Sequence, residues 1–538
     1  MYIADLHIHS RYSRATSRDL TPEQLDFQAR RKGIRLLGTG DFTHPAWREE
    51  LKEKLVPAED GLYRLREDCV LKPESGSEED RTRFVVSGEI SSIYKQDGKV
   101  RKVHSLILLP GLEEAEKLSV RLEAIGNIHS DGRPILGLSC HDLLEVMLET
   151  CPAGMFIPAH IWTPHFSMFG ALSGFDQAEE CFGELTPYIH AVETGLSSDP
   201  PMNWQLSALD RFQLISNSDA HSPAKLGREA NLLSGDLSYQ GLKEAVETGR
   251  GLDGTIEFFP EEGKYHFDGH RKCHICLSPA ESEAQGGICP VCQKRLTMGV
   301  SHRIAQLADR PEGFVPENAK PFESLVPLLE VIAASTGRSS SGKKVKEEYE
   351  VMLRKLGTEF SILREIPIED IKRECGYLTA EGIRRLREGN VERLPGFDGE
   401  YGAVRLFTPD EIENPEGQMS MNGLLILPAE AEKKAETGKR NEKLNGQQKR
   451  QLSPEKAAVS SDGKQLQPEE KPDFLARLNE KQREAAELPS SCLAVIAGPG
   501  TGKTGTLTAR IKCLIEKKES QTVRDYGGDF YKPGGGRA

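Results

Sequence analysis

Residues 2–10, YIADLHIHS, place His7 and His9 one residue apart at the end of a short apolar strand. Side chains alternate along a strand, so both imidazoles face the same way and can grip one metal ion or one phosphate. The same donor types return further on, in GDFTH (Asp41, His44), SGEIS (Glu89), KVHS (His104), PAHIW (His160), AVETG (Glu193) and NSDAH (Asp219, His221). Most of these clusters follow a short apolar run, as residues at the carboxyl end of a strand do. One His-X-His pair is weak evidence. Its recurrence with carboxylates, in a chain with only 14 histidines, points to a polynuclear metal site.

Around these clusters the first 255 residues alternate β-like runs (IRLLGTG, RFVVSGEI, VHSLILLP, GMFIPAH, YIHAVETG, FQLISNSDAH) with helical stretches. The helix TPEQLDFQARRKG has Thr21 as N-cap, Pro22 in its first turn and Gly33 as C-cap. Alternating β and α with polar strand ends is the pattern of an α/β barrel, whose strand ends converge on one face. Ligands far apart in sequence can meet there.

At 538 residues the chain is too long for one core, and two to four domains are expected. A 37% hydrophobic and 28% charged composition suits a soluble protein. No stretch is apolar enough to span a bilayer and the N-terminus has no signal-like apolar region, so a cytoplasmic protein without a membrane partner is expected. The net charge of -13 speaks against nucleic acid if taken alone. Charge is local, however, and Arg/Lys clusters recur at 11–18, 30–35, 271–272, 294–295, 343–346 and 384–387. Each by itself reads as a solvated face.

Residues 256–305 contain CHIC and CPVC, and Cys273, Cys276, Cys289 and Cys292 have the spacing of a tetrahedral four-cysteine zinc site. Such a module is too small for an apolar core, so the metal supplies its folding energy. His274, between the knuckle cysteines, reads as solvent-facing. Residues 306–410 look like a small, mainly helical domain. Residues 411–470 are polar, mixed in charge and poor in aromatics, and read as a disordered linker. In 471–538 an apolar strand leads into GPGTGKT and a helix, a phosphate-cradling loop with Gly498, Gly500, Gly502, Lys503 for phosphates and Thr504 for magnesium. Ala497 stands where the general pattern has its first Gly. No acidic strand follows, so complete ATPase function is not expected and ATP is at most weakly bound.

DLHIHS, GDFTH, SGEIS, PAHIW and NSDAH resemble the PHP (polymerase and histidinol phosphatase) superfamily of metal-dependent phosphoesterases, which implies a distorted seven-stranded β/α barrel. PAHIWTPHFSMFGALSGFD, AVETGLSSDPPMNW, SNSDAHSPAKLGREANL, the four-cysteine module and LPGFDGEYG resemble endonuclease Q over residues 1 to about 410. That resemblance implies cleavage of DNA on the 5′ side of deaminated bases (uracil, hypoxanthine, xanthine) and abasic sites, and a sliding clamp as partner. QLSPE near Gln451 is only a faint match to a clamp peptide. LNEKQREA and AGPGTGKT are similar to the start of UvrD/Rep-type helicases, with Gln482 where that family reads adenine, so the end of the chain looks like a truncated helicase fusion. Two departures from the superfamily stand out. Asp41 is followed by Phe42, with the histidine displaced to His44, and RYSRATS lacks the usual third histidine. Whether Asp41 or His44 is a ligand stays open.

On this footing His7, His9, Asp41, Glu89, His104, His160, Asp219 and His221 are expected to hold the catalytic ions and carry the chemistry. Histidine with carboxylate suits Zn²⁺ or Mn²⁺ better than Mg²⁺ alone, and structural Zn²⁺ is expected in the cysteine module. Trp162, His165, Phe166 and Phe169 are candidates for walling a pocket for an extruded base. Ser197, Ser198 and Asn217 are candidates for reading its edge, and Glu193 for ligand or substrate contact. The competing reading for Trp162 and the phenylalanines is ordinary core packing. Two rival functions are a histidinol-phosphate-like phosphatase and a non-catalytic DNA-binding scaffold.

Overall fold

The computed structural model describes residues 1–71, 81–413, 420–421 and 424–425, all within the compact unit Met1–Glu436. Apart from these, the linker expected at 411–470 lies outside the described residues. So do QLSPE and the whole of 471–538 with Gln482, Gly498, Gly500, Gly502, Lys503 and Thr504.

Seven strands build the barrel: β1 (Tyr2–Asp5), β2 (Ile34–Gly38), β3 (Arg83–Gln96), β4 (Lys99–Leu109), β5 (Met155–Pro158), β6 (Ala191–Glu193) and β7 (Gln213–Ile215). β1, β2 and β3 run parallel in that order. β4 then reverses against β3, and β5 reverses against β4. β6 and β7 are a parallel pair. Its seams are thin: Ile161 N–H donates to Glu193 O (3.0 Å) on one side, and on the other Ile8 bridges Ala220 and Leu6 N–H donates to Asn217 Oδ1 (2.8 Å). This is the distorted seven-stranded barrel the superfamily resemblance implied.

The reversal at β4 has a local cause. Gln96-Asp97-Gly98-Lys99 is a two-residue hairpin loop whose central residues both have positive φ (51° and 74°), the geometry that Asp-Gly favours. The hairpin carries Glu89 and His104 in mid-strand, not at strand ends. Ser91 lies opposite His104 and Leu106 opposite Glu89, so the side chains of Glu89 and His104 share one face.

The helix α1 (Pro22–Lys32) forms as its caps dictate. Thr21 accepts from Gln24 N–H, and Gly33 at φ 89° returns its N–H to Ala29 O and Arg30 O. Leu25 and Ala29 of this helix are buried. Beyond the barrel, β8 (Ala230–Leu233) adds antiparallel to β1, β9 (Leu252–Glu257) to β8, and β10 (Phe322–Ser324) parallel to β9. A boundary at 255 therefore falls inside a strand, and the chain rejoins the barrel's sheet after the cysteine module. The helices that follow are seated on α1 through Lys32–Glu359 (3.3 Å) and Arg31–Glu350 (2.5 Å). Two of the basic clusters, 30–35 and 384–387, are spent on such packing. Arg384 and Arg385 pair with Glu381, and Arg387 donates to the carbonyls of Ile362, Leu363 and Ile366. They are joints of the helical layer, not free phosphate contacts.

Glu257 ends β9 without solvent exposure, its carboxylate ringed by the hydroxyls of Thr194, Ser216 and Thr255. Burial pushes its pKa up from 4.5 to about 7, more than the hydroxyls lower it. Between those two values the folded chain holds a proton that the unfolded chain has lost, so stability falls as pH rises through that window. Glu257→Gln is expected to raise stability at pH 8 by on the order of 2 kcal/mol and to leave it unchanged near pH 4.5, read from urea midpoints at both pH values.

Candidate metal centre

The end of β1 turns so that His7 and His9 point inward, both without exposure. They meet Glu89 from β3 and Asp219 from the loop after β7. One ligand atom from each of the four lies within 4.8 Å of the others, and Glu89, His104 and His160 form a second group of the same kind. Glu89 is common to both. Its Oε1 is 2.6 Å from His104 Nδ1 and 3.1 Å from His160 Nε2, while Oε2 is 3.4 Å from His9 Nε2 and 3.7 Å from His7 Nε2. His7 Nε2 is buried and makes no hydrogen bond. A buried donor set converging on one centre, with one nitrogen orphaned there, fits a pair of divalent cations.

Two carboxylates stand behind the imidazoles. Glu193 holds His7 Nδ1 with both oxygens (3.0 Å each) and accepts from the His160 backbone N–H (2.8 Å) and from Asn217 Nδ2 (2.9 Å). Asp41 pairs with His9 Nδ1 through Oδ1 (3.0 Å), and its Oδ2 accepts from Ser10 N–H, Ser10 Oγ and Ser13 Oγ. Such partners fix which ring nitrogen faces the centre. Asp41 is thus set behind His9 and not among the converging ligands. His44 stacks on Tyr12 and pairs with His129 O, so it too lies outside the cluster. His221 sits at the rim, one-third exposed, its Nδ1 on Asp219 O and its ring 4.6 Å from that of His9.

The electrostatics follow from burial. Burial would raise the Glu89 carboxyl, but the His104 hydrogen bond and the Arg133 and His7 charges outweigh it and hold it well below the ordinary range. Burial likewise opposes charge on His7 and His9, yet Glu193 and Glu89 around the first, and Asp219 and Asp41 around the second, raise both well above the usual value. His104 is different: burial pushes it down to about 4, leaving the neutral imidazole that metal binding needs. The backbone bears the strain of convergence. Asp41, His160 and Asp219 all have positive φ (50°, 31° and 45°), rare for non-glycine residues.

Other expected contacts separate by burial. Trp162 and Phe169 are core: they pack together at 5.1 Å, and Trp162 Nε1 donates to Asn203 Oδ1 (2.7 Å). Ser198 is buried between Thr194 O and Asn203. Asn217 is buried, its Oδ1 accepting from Leu6 N–H and Asn231 Nδ2 and its Nδ2 donating to Glu193, so it ties strands together beneath the site. His165 is exposed, Ser197 half-buried, and Phe166 half-buried 4.8 Å from the His104 ring. Arg133 was not foreseen. It lies in a loop without periodicity, yet its guanidinium is 3.0 Å from Glu89 Oε2. In the cysteine module, Cys273, Cys289 and Cys292 cluster as expected, but with His270; Cys276 is not in that group.

The barrel and its two-part His/carboxylate centre are of the PHP type, with donors placed to hold metal ions. Residues 327–390 match the family model of the MJ0043 C-terminal domain, and residues 478–523 that of the UvrD/REP helicase N-terminal domain. YqxK of Bacillus subtilis (strain 168) is 32% identical over 418 residues, which covers 75% of this chain and 98% of YqxK. Among solved structures, the lesion-specific endonuclease PfuEndoQ from Pyrococcus furiosus is 30% identical with a TM-score of 0.67, covering 79% of this chain and 98% of that one. Endonuclease Q bound to a 27-mer duplex substrate with an abasic lesion at its active site is also 30% identical, with a TM-score of 0.65 and 76% and 97% coverage. The chain belongs to the endonuclease Q family, whose chemistry is hydrolysis of phosphoester bonds.

Asp41→Asn and Glu193→Gln keep the shape of the orienting groups but weaken their grip on the rings. Each is expected to lower affinity for Mn²⁺ at the barrel by about 10–100-fold, read by calorimetric titration, and to lower thermal stability as well, because an amide NH2 then faces buried donors.

Proposed function

We propose that this protein is a DNA endonuclease that hydrolyses the phosphodiester on the 5′ side of a deaminated base (uracil, hypoxanthine or xanthine) or an abasic site. The observation that carries the reading is the double cluster sharing Glu89, in a chain that spans nearly the whole length of a lesion-specific endonuclease. His7, His9, Glu89, Asp219, His104 and His160 would hold the cations, which when bound would activate a water and neutralise charge on the phosphoryl and leaving oxygens. Arg133, beside Glu89 and one-quarter exposed, offers a guanidinium to a phosphate oxygen. Asp41 and Glu193 keep the rings aimed. A damaged nucleotide must leave the stack to reach this depth. The rim groups suited to meet it are His165, Phe166, Ser197 and His221, with Lys102 Nζ 5.3 Å from the Phe166 ring. Arg18, Lys272, Lys294 and Arg295 are exposed and suited to the flanking phosphates.

End-labelled duplexes containing uracil, hypoxanthine, an abasic site or no lesion, incubated with Mn²⁺ or Mg²⁺, test this. A lesion-dependent nick 5′ of the base is expected. Asp219→Asn should reduce the rate at least about 100-fold, and Arg133→Ala about 10–100-fold, with unchanged circular dichroism. Phosphate release from a small monoester with the DNA left intact would contradict the proposal, as would DNA binding without a cut.

A further inference from the structure

The cysteine module has two knuckles by spacing, but its backbone sends their cysteines different ways. Asp268–His270 and Ile275–Leu277 pair antiparallel, with Gly269 opposite Cys276 and His270 opposite Ile275. Opposed residues project to one face of a ribbon and successive residues to opposite faces. His270 and Cys276 therefore leave this hairpin on opposite sides. The side of Cys276 is filled by the loop near residue 397. Cys276 Sγ lies 3.9 Å from Pro395 O, and a side chain at Gly269 would collide with the Phe397 ring. The other side holds His270, Cys273, Cys289 and Cys292, one ligand atom of each within 4.8 Å of the rest, with His270 Nδ1 3.5 Å from Cys292 Sγ. Cys289 is buried and the other three are half-buried. His274, the other imidazole nearby, has φ 51° and is 83% exposed, turned away.

We propose that the zinc ion of this module is held by His270, Cys273, Cys289 and Cys292, and that Cys276 is a free thiol packed against the 395–398 loop. The spacing His-x-x-Cys with Cys-x-x-Cys closes a tetrahedron of three thiolates and one imidazole as well as four cysteines do. His270 coordinates through Nδ1, which fixes its proton on Nε2. With the ion on one face, the other is left to seat the loop, which Asp398 anchors through Arg271 N–H (2.7 Å) and Thr297 Oγ1 (2.7 Å).

Cobalt substitution of the full chain tests the assignment. The thiolate-to-cobalt charge-transfer band reports this module alone, because the barrel ligands include no cysteine. Cys276→Ser should keep the band at full intensity and retain zinc against a chelator as the parent does. His270→Ala should lose zinc at least about 10-fold more readily, and His270→Cys should keep it and raise the band by about one-third, three thiolates becoming four. A Cys276→Ser chain that loses about a quarter of the band overturns the proposal. So does a His270→Cys chain whose band is unchanged, a result independent of how well the serine variant folds.

Discussion

Glu89 is a carboxylate with no exposed surface, packed among His104, His160, His9 and the Arg133 guanidinium. A buried anion is untenable without compensating positive charge, so this one group sets the terms for everything around it. It sits in the middle of β3, and the Asp97-Gly98 turn folds β4 back so that His104 arrives on the same face. β1 and the loops after β5 and β7 bring the remaining donors from the other side. In the bare protein, imidazoles and one guanidinium balance Glu89 and Asp219. Bound cations would take over that role and release protons as they did so.

The rings do not aim themselves. Glu193 reaches His7, the His160 backbone and Asn217 at once, so one side chain couples β1, β6 and the segments after β5 and β7. Asp41 does the same for His9 and the Ser10–Ser13 turn. Positive φ at Asp41, His160 and Asp219 is tolerated because these hydrogen bonds over-determine the local backbone. Gly195 adds a steric condition: it lies against His160, where a Cβ would collide with the histidine. The barrel seams, with few backbone bonds, are stitched by the same polar groups. Site and fold are one network.

Much of this was legible in residue order. His-X-His at a strand end, the β-run/helix alternation and the Thr21, Pro22 and Gly33 caps all report local geometry, and local geometry is what short motifs encode. What was hidden depends on partners distant in sequence. Asp41 and Glu193 have the same chemistry as the converging Glu89 and Asp219, and only their position behind a ring separates them. Trp162 and Phe169 look like a base pocket or a core until burial decides, and here it is core. Arg133 has no motif. The Asp97-Gly98 turn did carry a hairpin signal, flanked by the long runs of β3 and β4, and reading it would have foretold the reversed strand. Cys276 sits at knuckle spacing, yet strand pairing turns it away, which spacing cannot express.

Anomalous diffraction from crystals of the full chain soaked in Mn²⁺ bears most directly on the central claim. Peaks are expected on both sides of Glu89, one among His7, His9 and Asp219 and the other between His104 and His160. Density confined to the cysteine module, with the Glu89 carboxylate still paired only to imidazoles and Arg133, would contradict it.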